Sequence, residues 1–267
     1  MTQRHQIAGA RILITGASGG IGGTLAHRLA AEGAELILTG RRRDVLESLA
    51  AELAATSIAS DLSEVDAPSR LSREAGRVDI LIANAALPAS GRLATLEPER
   101  IDRAIAVNLR APIALAHALL PQMRQRGSGH LVFIGSLQSR AATAGASVYN
   151  ATKFGLRGFA LALRAELAGS GIGVSHVMPG FVRDAGLYAD SEVKLPPWIG
   201  TRSSDDVAAA VIDAIRNNRP EVEVAPLTLR AGTAVAALAP EFAARTSRLL
   251  GGERIAREFE SGQSDKR

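Results

Sequence analysis

Cysteine is absent from this 267-residue chain. That removes disulfides, thiolate metal sites and cysteine nucleophiles from consideration, and it fits a reducing, cytoplasmic setting. Aromatic residues are scarce, at 3% of the chain. The apolar mass is therefore Ala, Leu, Ile and Val, which suits strands packed under Ala-rich helices. No uninterrupted apolar run reaches the roughly 18–20 residues that a bilayer span requires. Residues 1–6 carry no apolar stretch of the signal-peptide kind. Charge of one sign is not in large excess: a net charge of +4 does not mark a nucleic-acid binder. The five histidines are scattered, and no pair has metal-ligand spacing on one face, so no metal is expected. What remains is 46% hydrophobic and long enough for one large domain with a full core.

The chain opens with a short buried strand, Ala10 to Thr15, that runs into Thr15-Gly16-Ala17-Ser18-Gly19-Gly20-Ile21-Gly22. A helix over 21–32 follows, stopped by Gly33, and then a strand over 35–39. A glycine-rich first turn in a βαβ unit is the layout of a dinucleotide site. Glycines let backbone N–H groups approach a pyrophosphate at the positive end of a helix. Gly16, Ser18, Gly20, Ile21 and Gly22 are the candidate ligands. After the second strand an acidic residue that would accept from a ribose 2′-OH is missing, and Gly40-Arg41-Arg42-Arg43 stands there instead. Arg41 offers a guanidinium fork to a phosphate, so NADP(H) is favoured over NAD(H). Arg42 and Arg43 read as a solvated basic cluster opening the next helix.

Further along, the pattern predicts a helix over 44–54, a strand over 57–62 ending at Asp61-Leu62, a helix over 65–75 and a strand over 78–83 before Asn84-Ala85-Ala86. A long helical stretch over 98–125 contains Asn108, a poor mid-helix residue because its amide competes for backbone groups. Strand 130–134 leads to Ser136. Tyr149 and Lys153, at i and i+4, share one face of a helix. A cation one turn from a phenol favours the phenolate and lowers its pKa. A phenol so tuned can exchange a proton with a carbonyl or alcohol oxygen. A strand over 174–178 ends at Pro179-Gly180, a helix over 205–216 is capped by Ser203 or Ser204, and a seventh strand starts at Glu221. Runs this apolar suit parallel strands covered on both faces. The expected fold is α/β: a Rossmann-like, doubly wound parallel sheet of about seven strands, filling residues 1–226. Residues 227–267 form a helical C-terminal extension. In it Leu229, Val235, Leu238, Leu249, Leu250 and Ile255 alternate with Arg230, Arg245, Arg248, Arg254 and Arg257. An appendage or subunit contact is the expectation there, ahead of a membrane-surface helix.

Taken together, these motifs resemble the short-chain dehydrogenase/reductase family over roughly residues 10–225. The turn at residues 15–22 matches its T-G-x-x-x-G-I-G pattern, Asn84-Ala85-Ala86 is similar to its N-A-G element, and Ser136, Tyr149 and Lys153 match its Ser and Y-x-x-x-K. The resemblance implies a catalytic set of Asn108, Ser136, Tyr149 and Lys153. Asn108 would sit at a local irregularity holding a relay water. Asp61, with Leu62 beside it, would contact adenine. Asn84, Pro179 and the Val182 backbone would complete the cofactor site, and Tyr149 and Lys153 would reach the cofactor as well. Two departures stand out: Ala86 replaces a glycine, and Arg183-Asp184-Ala185-Gly186 stands where a threonine often follows the P-G pair. The stretch 181–203 would be the substrate lid, where Trp198 either covers an apolar substrate or packs at the domain edge. The implied activity is NADP(H)-dependent hydride transfer on an apolar carbonyl or alcohol, by a homodimer or homotetramer. The alternatives are an NAD-dependent alcohol dehydrogenase or a non-catalytic dinucleotide-binding regulator.

Overall fold

Strands buried on both faces need helices above and below them, and the computed structural model, which describes residues 5–189 and 199–249, supplies both layers. In chain order the elements are β1 (Arg11–Thr15), α1 (Gly20–Ala31), β2 (Glu35–Gly40), α2 (Arg43–Glu52), β3 (Thr56–Ala59), α3 (Ala67–Ala75) and β4 (Ile80–Ala83). Then come α4 (Pro98–Ile105), a π-helical turn (Ala106–Arg110), α5 (Ala111–Arg126), β5 (Gly129–Ile134), α6 (Ser147–Glu166) and β6 (Ile172–Pro179). The single turn α7 (Gly186–Ala189), α8 (Ser204–Arg216), β7 (Glu221–Val224), α9 (Leu227–Leu238) and α10 (Pro240–Leu249) complete the set among the described residues. Trp198 and the tail residues Leu250, Arg254, Ile255 and Arg257 lie outside the described residues.

The seven strands form one sheet in the order β3-β2-β1-β4-β5-β6-β7, every pairing parallel. Successive side chains take opposite faces. Ile12 and Ile14 of β1 join Leu25 and Leu29 of α1 and Val207 and Val211 of α8 on one side. Leu13 joins Leu71 of α3, Leu115 of α5 and Leu156 of α6 on the other. The chain crosses from β3 to β4 on the far side of β1, so the strand order reverses between β1 and β4. That opens a crevice at the carboxyl ends of the strands, the place where such sheets bind ligands.

Several element bounds differ from expectation. β3 stops at Ala59, because Asp61 starts a turn in which its carbonyl accepts from Glu64 N–H at 3.2 Å and its side chain from Ser63 N–H at 2.9 Å. α3 begins at Ala67, where Pro68 fits the first turn. α6 starts at Ser147, so Tyr149 lies within its first turn. The run Pro98–Arg126 is, by length and composition alone, apolar enough to cross a membrane, yet half of its most apolar window is buried inside the protein.

Candidate active site

The first turn is built by close approach. Gly16 has φ +68°, and a Cβ there would meet the Ala85 backbone at 2.9 Å. A Cβ on Gly22 would meet the Gly16 carbonyl oxygen at 2.2 Å, and one on Gly20 the Ala185 methyl at 2.7 Å. α1 begins behind Gly19 with no side chain capping its amides. Those N–H groups are the positive end of the helix, facing the crevice. The Asn84 amide donates to the carbonyls of Thr15 and Gly16 at 3.0 and 3.3 Å. Asn84 thus braces the turn as well as lining the cleft. Ala86 also lines it, and among the described residues the only non-glycine positions at positive φ are Ala54 and Asn218. Ala86 therefore needs no glycine-only backbone.

At the end of β2 the cleft is lined by Gly40, Arg41 and Arg42. The Arg42 guanidinium donates to the Ser18 carbonyl, which ties it to the glycine turn rather than leaving it free in solvent as expected. Arg43 pairs with Glu47 on the exposed side of α2, as a solvated residue should. Asp61 faces the same end. Partial burial pushes its carboxyl up, but hydrogen bonds from Ser63 and the nearby Arg103 and Arg41 outweigh this and hold it below the ordinary range. Arg103 of α4 reaches Asp61 at 3.0 Å, a partner that nothing in the local pattern announces across 42 residues.

Asn108 sits inside the π-helical turn, so the local irregularity implied for it is present. It is buried, accepts from Leu87 N–H at 2.7 Å and donates to the Leu87 carbonyl at 2.9 Å. Its amide also lies 3.4 Å from the Thr152 hydroxyl on α6. π-turns are uncommon and concentrate at functional sites.

Ser136 follows β5 and heads a short 3-10 turn, accepting from Gln138 N–H at 3.1 Å. Tyr149 and Lys153 share a face of α6, with Nζ 5.6 Å from the phenol ring centroid. Lys153 is buried and donates to the Ile134 carbonyl at 2.9 Å. The electrostatics reverse one expectation. Burial pushes the Tyr149 phenol up to about 12, while the Ser136 hydroxyl hydrogen-bonded to it pulls the other way. Burial also depresses the Lys153 ammonium from 10.5 to about 8. Desolvation therefore outweighs the groups that favour the phenolate, and the net shift of the phenol is upward.

Behind Lys153 lies a group that the sequence did not single out. His176 of β6 is fully buried, and a Cβ on Gly135 would meet its Nε2 at 2.2 Å. Burial holds its pKa below the ordinary value, so the ring is neutral near pH 7. Its Nδ1 lies 3.8 Å from Glu221, whose carboxyl is held down to about 2 by His176 and by Arg157. At 3.8 Å the neutral ring is beyond hydrogen-bond distance, and the Arg157 fork at 2.6 and 3.1 Å is the stronger contact.

In the loop after β6 the second departure has a structural partner. Asp184 accepts from Ser204 N–H at 2.8 Å and from the Ser204 hydroxyl at 3.3 Å. It fastens the loop to the start of α8, where Ser203 is the N-cap in a capping box with Asp206. Pro179 and Val182 both line the cleft. A parallel bridge joins Val182 and Arg202, closed by Arg183 N–H to the Arg202 carbonyl and Arg202 N–H to the Phe181 carbonyl, both 2.9 Å.

The glycine turn, Arg41, Arg42, Asp61, Asn84, Ser136, Tyr149, Lys153, Pro179 and Val182 border one cleft of about 1760 Å³ that runs on to α9 and α10, whereas Asn108, His176 and Asp184 stand behind its wall. Single-ligand sites are commonly about 300–1,000 Å³, so this cleft has room for two molecules end to end. An uncapped helix start, a close-packed glycine turn and arginines at the end of β2 fit a dinucleotide. The fold and site together define a dinucleotide-binding α/β oxidoreductase.

Comparison with known proteins narrows the class. The family described as short chain dehydrogenase matches residues 10–193, and the chain belongs to the short-chain dehydrogenase/reductase family. It is 36% identical over 227 residues to the ketoacyl reductase HetN of Nostoc sp., covering 82% of this chain and 79% of that one. A short-chain dehydrogenase from Sphingobium yanoikuyae in complex with NADPH superposes with a TM-score of 0.75 at 30% identity, covering 91% of this chain and 96% of the other. The bulky-bulky ketone specific alcohol dehydrogenase from Comamonas testosteroni gives 0.71 at 30% identity, covering 80% and 85%.

Proposed function

We propose that this NAD(P)-dependent dehydrogenase/reductase works with NADP(H) and reduces an apolar ketone or aldehyde to the alcohol. The observation that carries the reading is the convergence of Ser136, Tyr149 and Lys153 on the cleft that the glycine turn opens. Arg41 and Arg42 would hold a 2′-phosphate, the start of α1 the pyrophosphate, and Asp61 and Leu62 the adenine side. Pro179 and Val182 would border the nicotinamide. When bound, the nicotinamide supplies the hydride for the substrate carbon. Ser136 then orients and polarises the carbonyl oxygen. Tyr149, protonated near neutral pH, gives its proton to the oxygen as the alkoxide develops. Lys153, still largely an ammonium near pH 7, stands behind the phenol and stabilises the charge left on it. Asn108 and the π-turn hold the inner end of the proton path.

The NADPH-bound neighbour supports the cofactor preference, and the ketone-specific and ketoacyl relatives support a carbonyl substrate. A cytoplasmic location belongs to the same reading, as does a homodimer or homotetramer, the assembly being supported by the exposed Ile105, Phe154 and Leu161 on α4 and α6. The test is Tyr149→Phe. Turnover of any accepted carbonyl should fall by about 10²–10⁴-fold, with NADPH binding unchanged. Near-normal turnover would refute the assignment. Dinucleotide binding with no turnover by the unaltered protein would favour a regulator.

A further inference from the structure

Beyond the catalytic residues the cleft continues along α9, which lies outside the stretch matched to the family. The first turn of α9 is anchored. Leu229 packs on the apolar cluster of Leu137, Met178 and Ala225, and Leu137 directly follows Ser136. Arg230 pairs with Glu223 at 3.1 Å. From that anchor Leu229, Gly232, Thr233 and Ala236 recur at helical spacing and all line the cleft. The Thr233 hydroxyl donates to the Arg230 carbonyl at 2.9 Å, so its hydrogen bond is made within the helix.

Gly232 is the informative position. A glycine inside a helix is less stable than alanine by about 0.5–1 kcal/mol. The backbone there does not require glycine, since φ is not positive. Packing does not require it either, since an added Cβ would meet nothing within 4 Å. What the missing side chain preserves is open space in the cleft.

We infer that this face of α9 is the binding wall for the apolar tail of an elongated carbonyl substrate, with Gly232 setting the length of chain admitted. Leu229 to Ala236 spans about 10 Å at 1.5 Å per residue, the reach of roughly eight extended methylenes. The inference rests on the carbonyl reading of the Tyr149 site, so its test does not depend on turnover. The full chain is titrated with straight-chain 2-ketones of about four to twelve carbons without cofactor, read by displacement of a fluorescent apolar probe; each buried methylene should tighten binding about fourfold until the channel ends.

Gly232→Leu should move that end to shorter chains and weaken the longest ketone at least about tenfold, the effect of losing two or more buried methylenes. Ala234→Leu, off the cleft-lining face, should leave the series as it is. Ala236→Leu is the second test if the first variant does not fold. A flat series in the unaltered protein overturns the inference. So does an unchanged series in the foldable variant, including the case where that variant alters only the oligomeric state, which would make α9 a subunit contact. A steep series with no reduction of any ketone would sink the proposed reaction and leave the wall standing.

Discussion

Replacing Lys153 with methionine should make the protein more stable at neutral pH while abolishing its chemistry. Burial lowers this ammonium from 10.5 to about 8. Below pH 8 the folded chain therefore carries a desolvated cation, at a penalty of about 3 kcal/mol relative to the unfolded chain. Methionine is similar in length and apolar, and it removes that penalty. It also leaves the Ile134 carbonyl without its 2.9 Å donor, which costs about 1–2 kcal/mol. The net gain at pH 7 is about 1–2 kcal/mol, or roughly 2–6 °C in Tm for a domain of this size.

The pH dependence supplies the control. Between pH 8 and 10.5 the unfolded chain binds more protons at this site than the folded one, so the wild type gains stability as pH rises through that window. At pH 10 its penalty has fallen to about 0.8 kcal/mol, and the advantage of the variant should vanish or reverse. Other high-pH titrations are common to both proteins and cancel in the difference. The assay is thermal melting of both proteins without cofactor at pH 7 and pH 10, together with carbonyl reduction. A variant less stable at pH 7, or a difference that does not move with pH, would refute the reasoning.

Two further predictions concern the ends of the cleft. Arg41→Ala should weaken NADPH by about 1.5–3 kcal/mol, roughly ten- to a hundredfold, through loss of a charge-assisted contact, and leave NADH unaffected; side-by-side titration checks this, and equal losses for both would remove Arg41 from the 2′-phosphate site. Asp184→Ala should destabilise the fold by about 1 kcal/mol, the value of a helix-start cap, with NADPH affinity nearly unchanged; a large affinity loss without destabilisation would make Asp184 a cofactor ligand instead.

The features that could be read from the sequence are those set by neighbours in the chain. The turn at Gly16–Gly22, the i,i+4 pair of Tyr149 and Lys153 and the parallel strands all follow from local spacing. Asn108 stood out as a poor helix residue, and it sits in a π-turn. The features that could not be read are set by distant segments. The Tyr149 phenol rises instead of falling because separate segments bury it, and no spacing reports burial. Asp184 stood out only as a departure from the family pattern, and its partner, Ser204, lies 20 residues away. His176 meets Gly135 only because β5 and β6 lie side by side in register. Arg42 and Arg43 are neighbours with the same side chain, yet one turns to the Ser18 carbonyl and the other to Glu47.

The bridge between Val182 and Arg202 fixes both feet of the stretch between them. Asp184 on Ser204 and Ala185 against Gly20 pin the start of that stretch as well, so these residues belong to the frame of the cleft. Doubling the length of a closed loop adds only about 0.6 kcal/mol. Added length between the two feet would thus cost the fold little, while Tyr149, Lys153 and the glycine turn stay where they are.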